Sequence, residues 1–545
     1  MLRRASNALA VPAAALLAAL LAAPAPACTN YLITKGASAD GSTMITYSAD
    51  SHELYGELYF APGATYGPGA MRDIVEWDTG KFLGRIPQPS TTYTRVGNMN
   101  EHQVSVGETT FGGREELAKP AGIVDYGSLM YIALERAKTA REAIQVMTSL
   151  VERFGYASTG ESFSVADPNE AWILEMIGKG EGQKGALWVA VKVPDGYVSG
   201  HANQARIRTF PQDDPTRALF AKDVISFARD KGWFKGKDAE FSFSDTYAPL
   251  EFGGARFCEA RVWSYFRRVA PSQKWTVDQI DGSNLDKRIP LWIKPDKKIS
   301  VHDTMELMRD HFEGTELDLS KGVGAGPFAC PYRWRPMTWK VDDKEYVHER
   351  AVSTQQTGFS FVSQLRSWLP DPIGGVLWFG LDDTYSTVYT PMYAGIQEVP
   401  PSFAVGVADL ETFSWNSAFW VFNWVANTAY SRYSDMIVDI QTVQRELEGS
   451  FLAEQAQIDD AAADLHKRSP GLARDYLTRY SVERGEKVTA RWKKLGEQLL
   501  VKYMDGNVKD SQGHVTHPRY PDSWYRAIVV EEGVRKAVPA EKKKE

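Results

Sequence analysis

Three cysteines occur in the 545 residues, and Cys28 has the most unusual place of them. It sits in the stretch APAPACTNYLITKG, behind a run of small residues and at the head of a β-rich segment. A thiol nucleophile needs a base to take its proton. A cysteine that begins a chain carries its own base, the α-amino group. That group has a pKa of ~7.7–8.0, close to the ~8.5 of the thiol. Cutting the chain after Ala27 would place both groups on Cys28. Maturation would then switch the chemistry on, because an internal cysteine has no such amine.

The residues ahead of Cys28 predict that cut. Arg3 and Arg4 are the only charges before it, an apolar run follows from Ala8 to Ala23, and Pro24-Ala25-Pro26-Ala27 supplies small residues. Positive start, apolar middle and A-x-A site make a secretory signal peptide over residues 1–27. The apolar part is short and broken by Pro12, whereas a span needs roughly 20 residues. The expectation is export to the periplasm or medium, with no stable membrane insertion after cleavage. Two rivals are an uncleaved anchor and lipoprotein processing, which would acylate both thiol and amine of Cys28. Against the second, Ala25 rather than a leucine stands three residues before the cysteine.

Composition is that of a soluble globular enzyme: 43% hydrophobic, 24% charged, net charge −7. No dense Lys/Arg stripe suggests a nucleic-acid partner. With Cys28, Cys258 and Cys330 alone, this is no disulfide scaffold, and whether Cys258 and Cys330 pair is left open. Among the nine histidines there is no H-E-x-x-H; His302 and His311 would lie on opposite helix faces, and His514 and His517 lack a third ligand. The sequence GVGAGP runs into Pro327 instead of a helix start, and no G-x-S-x-G occurs. Metal and nucleotide cofactors are therefore not expected.

The elements that must position Cys28 follow from pattern. Cys28–Thr34 and Thr43–Tyr47 read as strands joined by a turn at Asp40-Gly41, a hairpin that returns the chain toward Cys28 and delivers Asp50 there. Val104–Thr110, Ala171–Ile177 and Leu187–Val193 are further strands, and after a turn at Pro194-Asp195-Gly196 the segment Tyr197–Ala202 leads into HANQARI. Gly127–Phe154 is helical with a break near Lys138, and Thr139 with Glu142 predicts a capping box. Ser300–Phe312 reads as an amphipathic helix, Trp334–Ala429 as sheet, and Tyr433–Tyr503 as mostly helical. Strands and helices in this order predict a layered α+β fold with antiparallel sheets. The expected organisation is one domain over residues 28–430, including a β-rich extension, and a helical C-terminal region over 431–545 with a flexible tail. Glu108, on a strand face, is a candidate to bind a substrate ammonium; His52 and His201 read as structural or peripheral.

The stretch CTNYLITKGASADGSTMITYSADSHELYGEL resembles the start of the cysteine N-terminal-nucleophile dipeptidases, the family of dipeptidase A and the secernins. GNMNEHQVSVGETTFGG, ALERAKTAREA, VADPNEAWILEMIG, HANQARI, EARVW and GGVLWFGLDDTYSTVY resemble its later segments, in the same order. The resemblance implies a four-layer αββα N-terminal-nucleophile sandwich and hydrolysis of dipeptides. It further implies that Cys28 is the nucleophile and that Asp50 holds the amine. Asn203 would donate to the oxyanion, with Thr110 at the place of a second contact, and Arg261 would steady the site. Acylase relatives have an arginine three residues before the aspartate, where this chain has Tyr47; without that cation the thiolate should be less stabilised. An N-acyl amide hydrolase and a non-catalytic, lipid-anchored binding protein are the alternatives. Side-chain preference and any homo-oligomer stay open.

Overall fold

The hairpin at the head of the described chain sets the frame. A computed structural model describes residues 28–119 and 121–537, so the signal peptide expected over residues 1–27 lies outside the described residues. In chain order the strands of the two main sheets are β1 (Asn30–Ile33), β2 (Thr43–Asp50), β3 (Phe60–Ala61), β4 (Arg95–Val96), β5 (Met99–Asn100), β6 (Ser105–Phe111), β7 (Gly160–Ala166) and β8 (Ala171–Gly178). They continue with β9 (Ala186–Lys192), β10 (Val198–His201), β11 (Ala218–Phe220), β12 (Trp292–Ile293), β13 (Thr357–Leu365), β14 (Gly375–Leu381) and β15 (Thr390–Tyr393). The first sheet runs β12-β10-β1-β2-β13-β14-β15 and the second β11-β9-β8-β7-β6-β5-β4-β3. The β1–β2 hairpin pairs Leu32 with Ile45, and a bridge from Thr29 to Ser48 carries the pairing to within one residue of Cys28.

The sheets stack through β1 and β2 against β6, β7 and β8. Alternation explains why these strands read as nearly continuous apolar runs: in β8, Ile173 and Ile177 join the core between the sheets, while Trp172, Leu174 and Met176 join a second core under two helices. Those helices are α1 (Tyr126–Arg136) and α2 (Ala140–Phe154). Thr139 accepts from the Glu142 N–H at 3.2 Å, as the cap signal requires. The reciprocal half differs, because Glu142 accepts from the N–H of Lys138. His201 ties the sheets together: its Nδ1 bonds the Thr109 hydroxyl at 2.7 Å and its Nε2 the Ser164 hydroxyl at 2.8 Å. Burial pushes its pKa down to about 3, so the ring is neutral.

Behind the first sheet lie α3 (Ala260–Val269), α4 (Val301–Leu307), α5 (Ala418–Tyr430), α6 (Tyr433–Arg468) and α7 (Pro470–Tyr503). Of these, α4 contacts β13, α5 contacts β14, and α6 and α7 contact β15. Two expectations need correction. The helix beginning at Ser300 ends at Leu307, five residues short of Phe312, whose φ of +64° is incompatible with helix. The sheet-like region stops well before Ala429: AFWVFNWVANTAY is helix α5, capped by the Ser417 hydroxyl. Its buried residues Ala418, Phe419, Val421, Phe422, Val425, Ala426 and Ala429 repeat at helical spacing, which outweighs the β-propensity of its aromatics. Cys258 and Cys330 are free thiols.

Asp382, just past β14, carries a pH signature of this packing. Its Oδ1 accepts from Asn423 on α5 at 2.8 Å, and burial, aided by the charge of Asp383, raises its pKa from 3.8 to about 8. An acid with a raised folded pKa binds more protons folded than unfolded across that window, so its contribution to stability is lost as pH climbs from about 4 through 8. Asp382→Asn removes the charge while keeping a residue that accepts the observed φ of +65°. Thermal melts should show the variant gaining ~2 °C or more on wild type at pH 9, with little or no gain at pH 5. Equal shifts at both pH values would contradict this.

Candidate active site

Cys28 lies at the open end of the two sheets, 3% exposed, on the wall of a cavity of ≈ 450 Å³. Around it the cavity is lined by Tyr47, Asp50 and His52 from β2 and the loop after it, by Trp77 and Asp78, by Glu108 from β6, by Tyr126 of α1, and by Arg335. The thiol faces Glu108 Oε1 at 3.7 Å and the Tyr47 hydroxyl at 3.9 Å. Tyr47 donates its hydroxyl proton to the same Glu108 oxygen. β6 can approach this closely because residue 107 is glycine. A Cβ there would meet Asn30 Oδ1 at 2.3 Å and Tyr47 Cβ at 3.2 Å.

Glu108 is not the solvated strand-face acid that its residue type alone would suggest. It is 2% exposed and adjoins Glu161 of β7, which is fully buried. Burial raises both carboxyls, and the charge of Glu108 drives Glu161 further up. Two carboxyls in such contact share a proton. Glu161 accepts from the Thr110 hydroxyl at 2.7 Å. Glu108 accepts from the Tyr47 hydroxyl and faces the cavity.

Asp50 ends β2, where its carboxylate accepts from the Thr357 hydroxyl at 2.7 Å and the Ser48 hydroxyl at 3.2 Å. Burial raises its pKa to about 7, against the pull of these hydrogen bonds and of Arg261 and Arg350. Its backbone bonds the Cys28 sulfur. With Cys28 still in peptide linkage to Ala27, burial first, then the charges of Glu108 and Asp50, hold the thiol well above its ordinary range. This sulfur is a neutral thiol until a positive charge arrives.

Behind the sulfur, Arg261 at the start of α3 is completely buried and donates to five oxygens. It reaches Cys28 O at 2.6 Å, Thr29 Oγ1 at 2.8 Å, Ala202 O at 3.1 Å, Asn203 Oδ1 at 2.8 Å and Phe257 O at 2.9 Å. Because a guanidinium only donates, it fixes the Asn203 amide with Oδ1 toward itself. The Nδ2 then points the other way and donates one hydrogen to Thr110 O at 2.7 Å, which leaves the second for another acceptor. Asn203 adopts φ +62°, a conformation asparagine tolerates. Its loop is pinned on both sides: Glu175 accepts from the N–H groups of Arg206 and Ile207, and the Arg206 guanidinium pairs with Glu259 at 2.8 Å.

The six residues singled out by sequence thus form one connected network, although only Cys28, Asp50 and Glu108 line the cavity. Asn203 and Arg261 stand behind Cys28, and the Thr110 hydroxyl is turned to Glu161, so Thr110 meets Asn203 through its carbonyl. His201 is structural, but His52 lines the cavity mouth. Sequence reasoning missed Glu161, the role of Tyr47, and Arg335. Glu161 left a trace: Val104, Val106 and Glu108, like Glu161, Phe163 and Val165, share one strand face, so each strand puts an acid in its apolar phase.

A family model described as Peptidase family C69 matches residues 57–446, a span that holds Glu108, Thr110, Asn203 and Arg261 and begins after Cys28 and Asp50. The chain is 25% identical over 401 residues to a protein of Salmonella dublin named Probable dipeptidase, covering 69% of this chain and 82% of that one. It is 23% identical over 502 residues to Probable dipeptidase B of Streptococcus pyogenes serotype M1, covering 89% and 94%. A Bifidobacterium longum protein named Dipeptidase is 24% identical over 417 residues, covering 69% of this chain and 72% of its own length.

Proposed function

The chain belongs to peptidase family C69, and from that premise we propose that it hydrolyses dipeptides, with Cys28 as nucleophile and the α-amine of Cys28 as base. The observation that carries the reading is the Glu108 carboxylate, 3.7 Å from the sulfur. In a peptide whose first carbonyl is attacked, the α-ammonium sits one carbon from the reacting atom. Paired with that ammonium, which favours its charged form, the acid beside the nucleophile selects substrates cleaved after their first residue. The names of the relatives support the same substrate class.

On this reading the leader is removed after Ala27 during export, and the new α-amine lies beside Asp50. The amine takes the thiol proton as the sulfur–carbon bond forms. The Asn203 Nδ2–H left over by Thr110 donates to the oxyanion, a contact worth ~3–4 kcal/mol in comparable sites. The proton passes to the leaving amine as the carbon–nitrogen bond breaks. Water then attacks the thioester, releasing the first amino acid and restoring the thiol. Arg261 is a positioning residue in this scheme, acting through Cys28 and Asn203. The helices α1 and α2 on one side of the paired sheets, and α4 to α7 on the other, support a four-layer αββα N-terminal-nucleophile sandwich.

The test is a panel of free dipeptides, the same dipeptides N-acetylated, and N-acylated amines. Free dipeptides should be cleaved, and N-acetylation should cost about 100-fold or more in kcat/KM, because it removes the charge Glu108 would pair with. Glu108→Gln should lower kcat/KM on free dipeptides by about tenfold or more, with KM raised. Cleavage of N-acylated amines alone would reject the proposal.

A further inference from the structure

We propose that Arg335 binds the C-terminal carboxylate of the substrate, so that the cavity reads both charged ends of a dipeptide; this rests on the dipeptidase reading above. Arg335 lies on the loop between Cys330 and the exposed hairpin strand Thr338–Val341, at the rim of the cavity that contains Cys28 and Glu108. Its guanidinium is held in a fixed pose. Nε donates to His52 Nε2 at 2.8 Å, and Nη2 donates to Gln356 Oε1 at 3.1 Å. Both partners are uncharged. His52 is kept neutral by its burial and by Arg335 and Arg350, which lower its pKa. Neutral, its Nε2 has a lone pair for Arg335 to use.

Arg335 has no ion-pair partner among the described residues, and Nη1 makes no hydrogen bond there. A cation oriented by two neutral acceptors, with both N–H groups of Nη1 left over, is complementary to an anion entering the cavity. The same cavity wall carries the acids Glu108, Asp78, Asp50 and Glu53. Glu108 and Arg335 come from different parts of the fold, Glu108 from the second sheet and Arg335 from the loop ahead of the Thr338–Val341 strand. An extended dipeptide separates its ammonium from its carboxylate by about 7 Å, roughly two residues of chain. Glu108 alone would permit removal of the first residue from a peptide of any length. Arg335 adds the requirement that the chain end after the second.

The experiment uses the mature enzyme, the best-cleaved dipeptide of the panel above, and the C-terminal amide of that dipeptide. Wild type should favour the free acid over the amide by about tenfold or more, chiefly in KM. Arg335→Gln should bring the acid down to the level of the amide and leave the amide within about twofold, and Arg335→Lys should restore part of the preference. An undiminished preference for the free acid in Arg335→Gln, or an equal fall on acid and amide, would overturn the assignment. Failure of the parent reading looks different: then no free dipeptide is cleaved by wild type, and this assignment falls with it.

Discussion

Cys28→Ala should hydrolyse no dipeptide, with kcat reduced by at least ~10⁴-fold, and should still fold. The loss follows because the bond-forming atom is gone, while its surroundings stay built around it: Tyr47 and Glu108 face the sulfur, the Asp50 backbone bonds it, and Arg261 holds the Cys28 carbonyl. The fold should survive because the substitution removes one atom at the open end of the sheets, leaving the Thr29–Ser48 bridge and the Arg261 contacts in place. The expected fall in melting temperature is only ~2–3 °C. Cys258→Ala and Cys330→Ala serve as controls and should keep their turnover. Peptidase activity that survives in Cys28→Ala and disappears in Cys258→Ala would move the nucleophile to the thiol beside Arg261.

Retaining Ala27 should be as damaging as removing the sulfur. The nitrogen of Cys28 would then be an amide, with no lone pair to accept a proton. The thiol would stay in the state described here, raised by burial and by the charges of Glu108 and Asp50. The cavity offers no ready substitute histidine, since His52 has its Nε2 engaged by Arg335. A chain beginning at Ala27 should therefore lose ~10³-fold or more in kcat/KM relative to one beginning at Cys28, assayed side by side on the same dipeptide. Near-equal rates would make Glu108, at 3.7 Å, the base, and would end the N-terminal-amine mechanism.

Local pattern made a good part of this architecture readable. The hairpin that brings Asp50 back to Cys28 follows from two alternating strands and an Asp-Gly turn, and it places Ser48 opposite Thr29. The strand spanning Ala171–Ile177 and the helix cap at Thr139 follow from equally local chemistry. Helix α5 did not, because its aromatic composition favours strand while its spacing favours helix, and tertiary packing decided for the spacing. At the site, the residue identities of Glu108 and Asn203 were legible but their partners were not. The Glu108–Glu161 pair arises from the register of β6 on β7, where Glu108 lies opposite Phe163 and Thr110 opposite Glu161. Register between strands separated by two helices is a long-range property. Arg335 is more remote still: it meets His52 across 283 positions of sequence, and nothing in its neighbours marks it.

The central claim is that one residue supplies both sulfur and base. Intact mass and N-terminal sequencing of the active enzyme test it most directly, with each mass species assayed for dipeptide hydrolysis. The account predicts that activity resides in the species that begins at an unmodified Cys28 and rises in proportion to its abundance. Full activity in a species that keeps the leader, or in one with an acylated Cys28 amine, would contradict it.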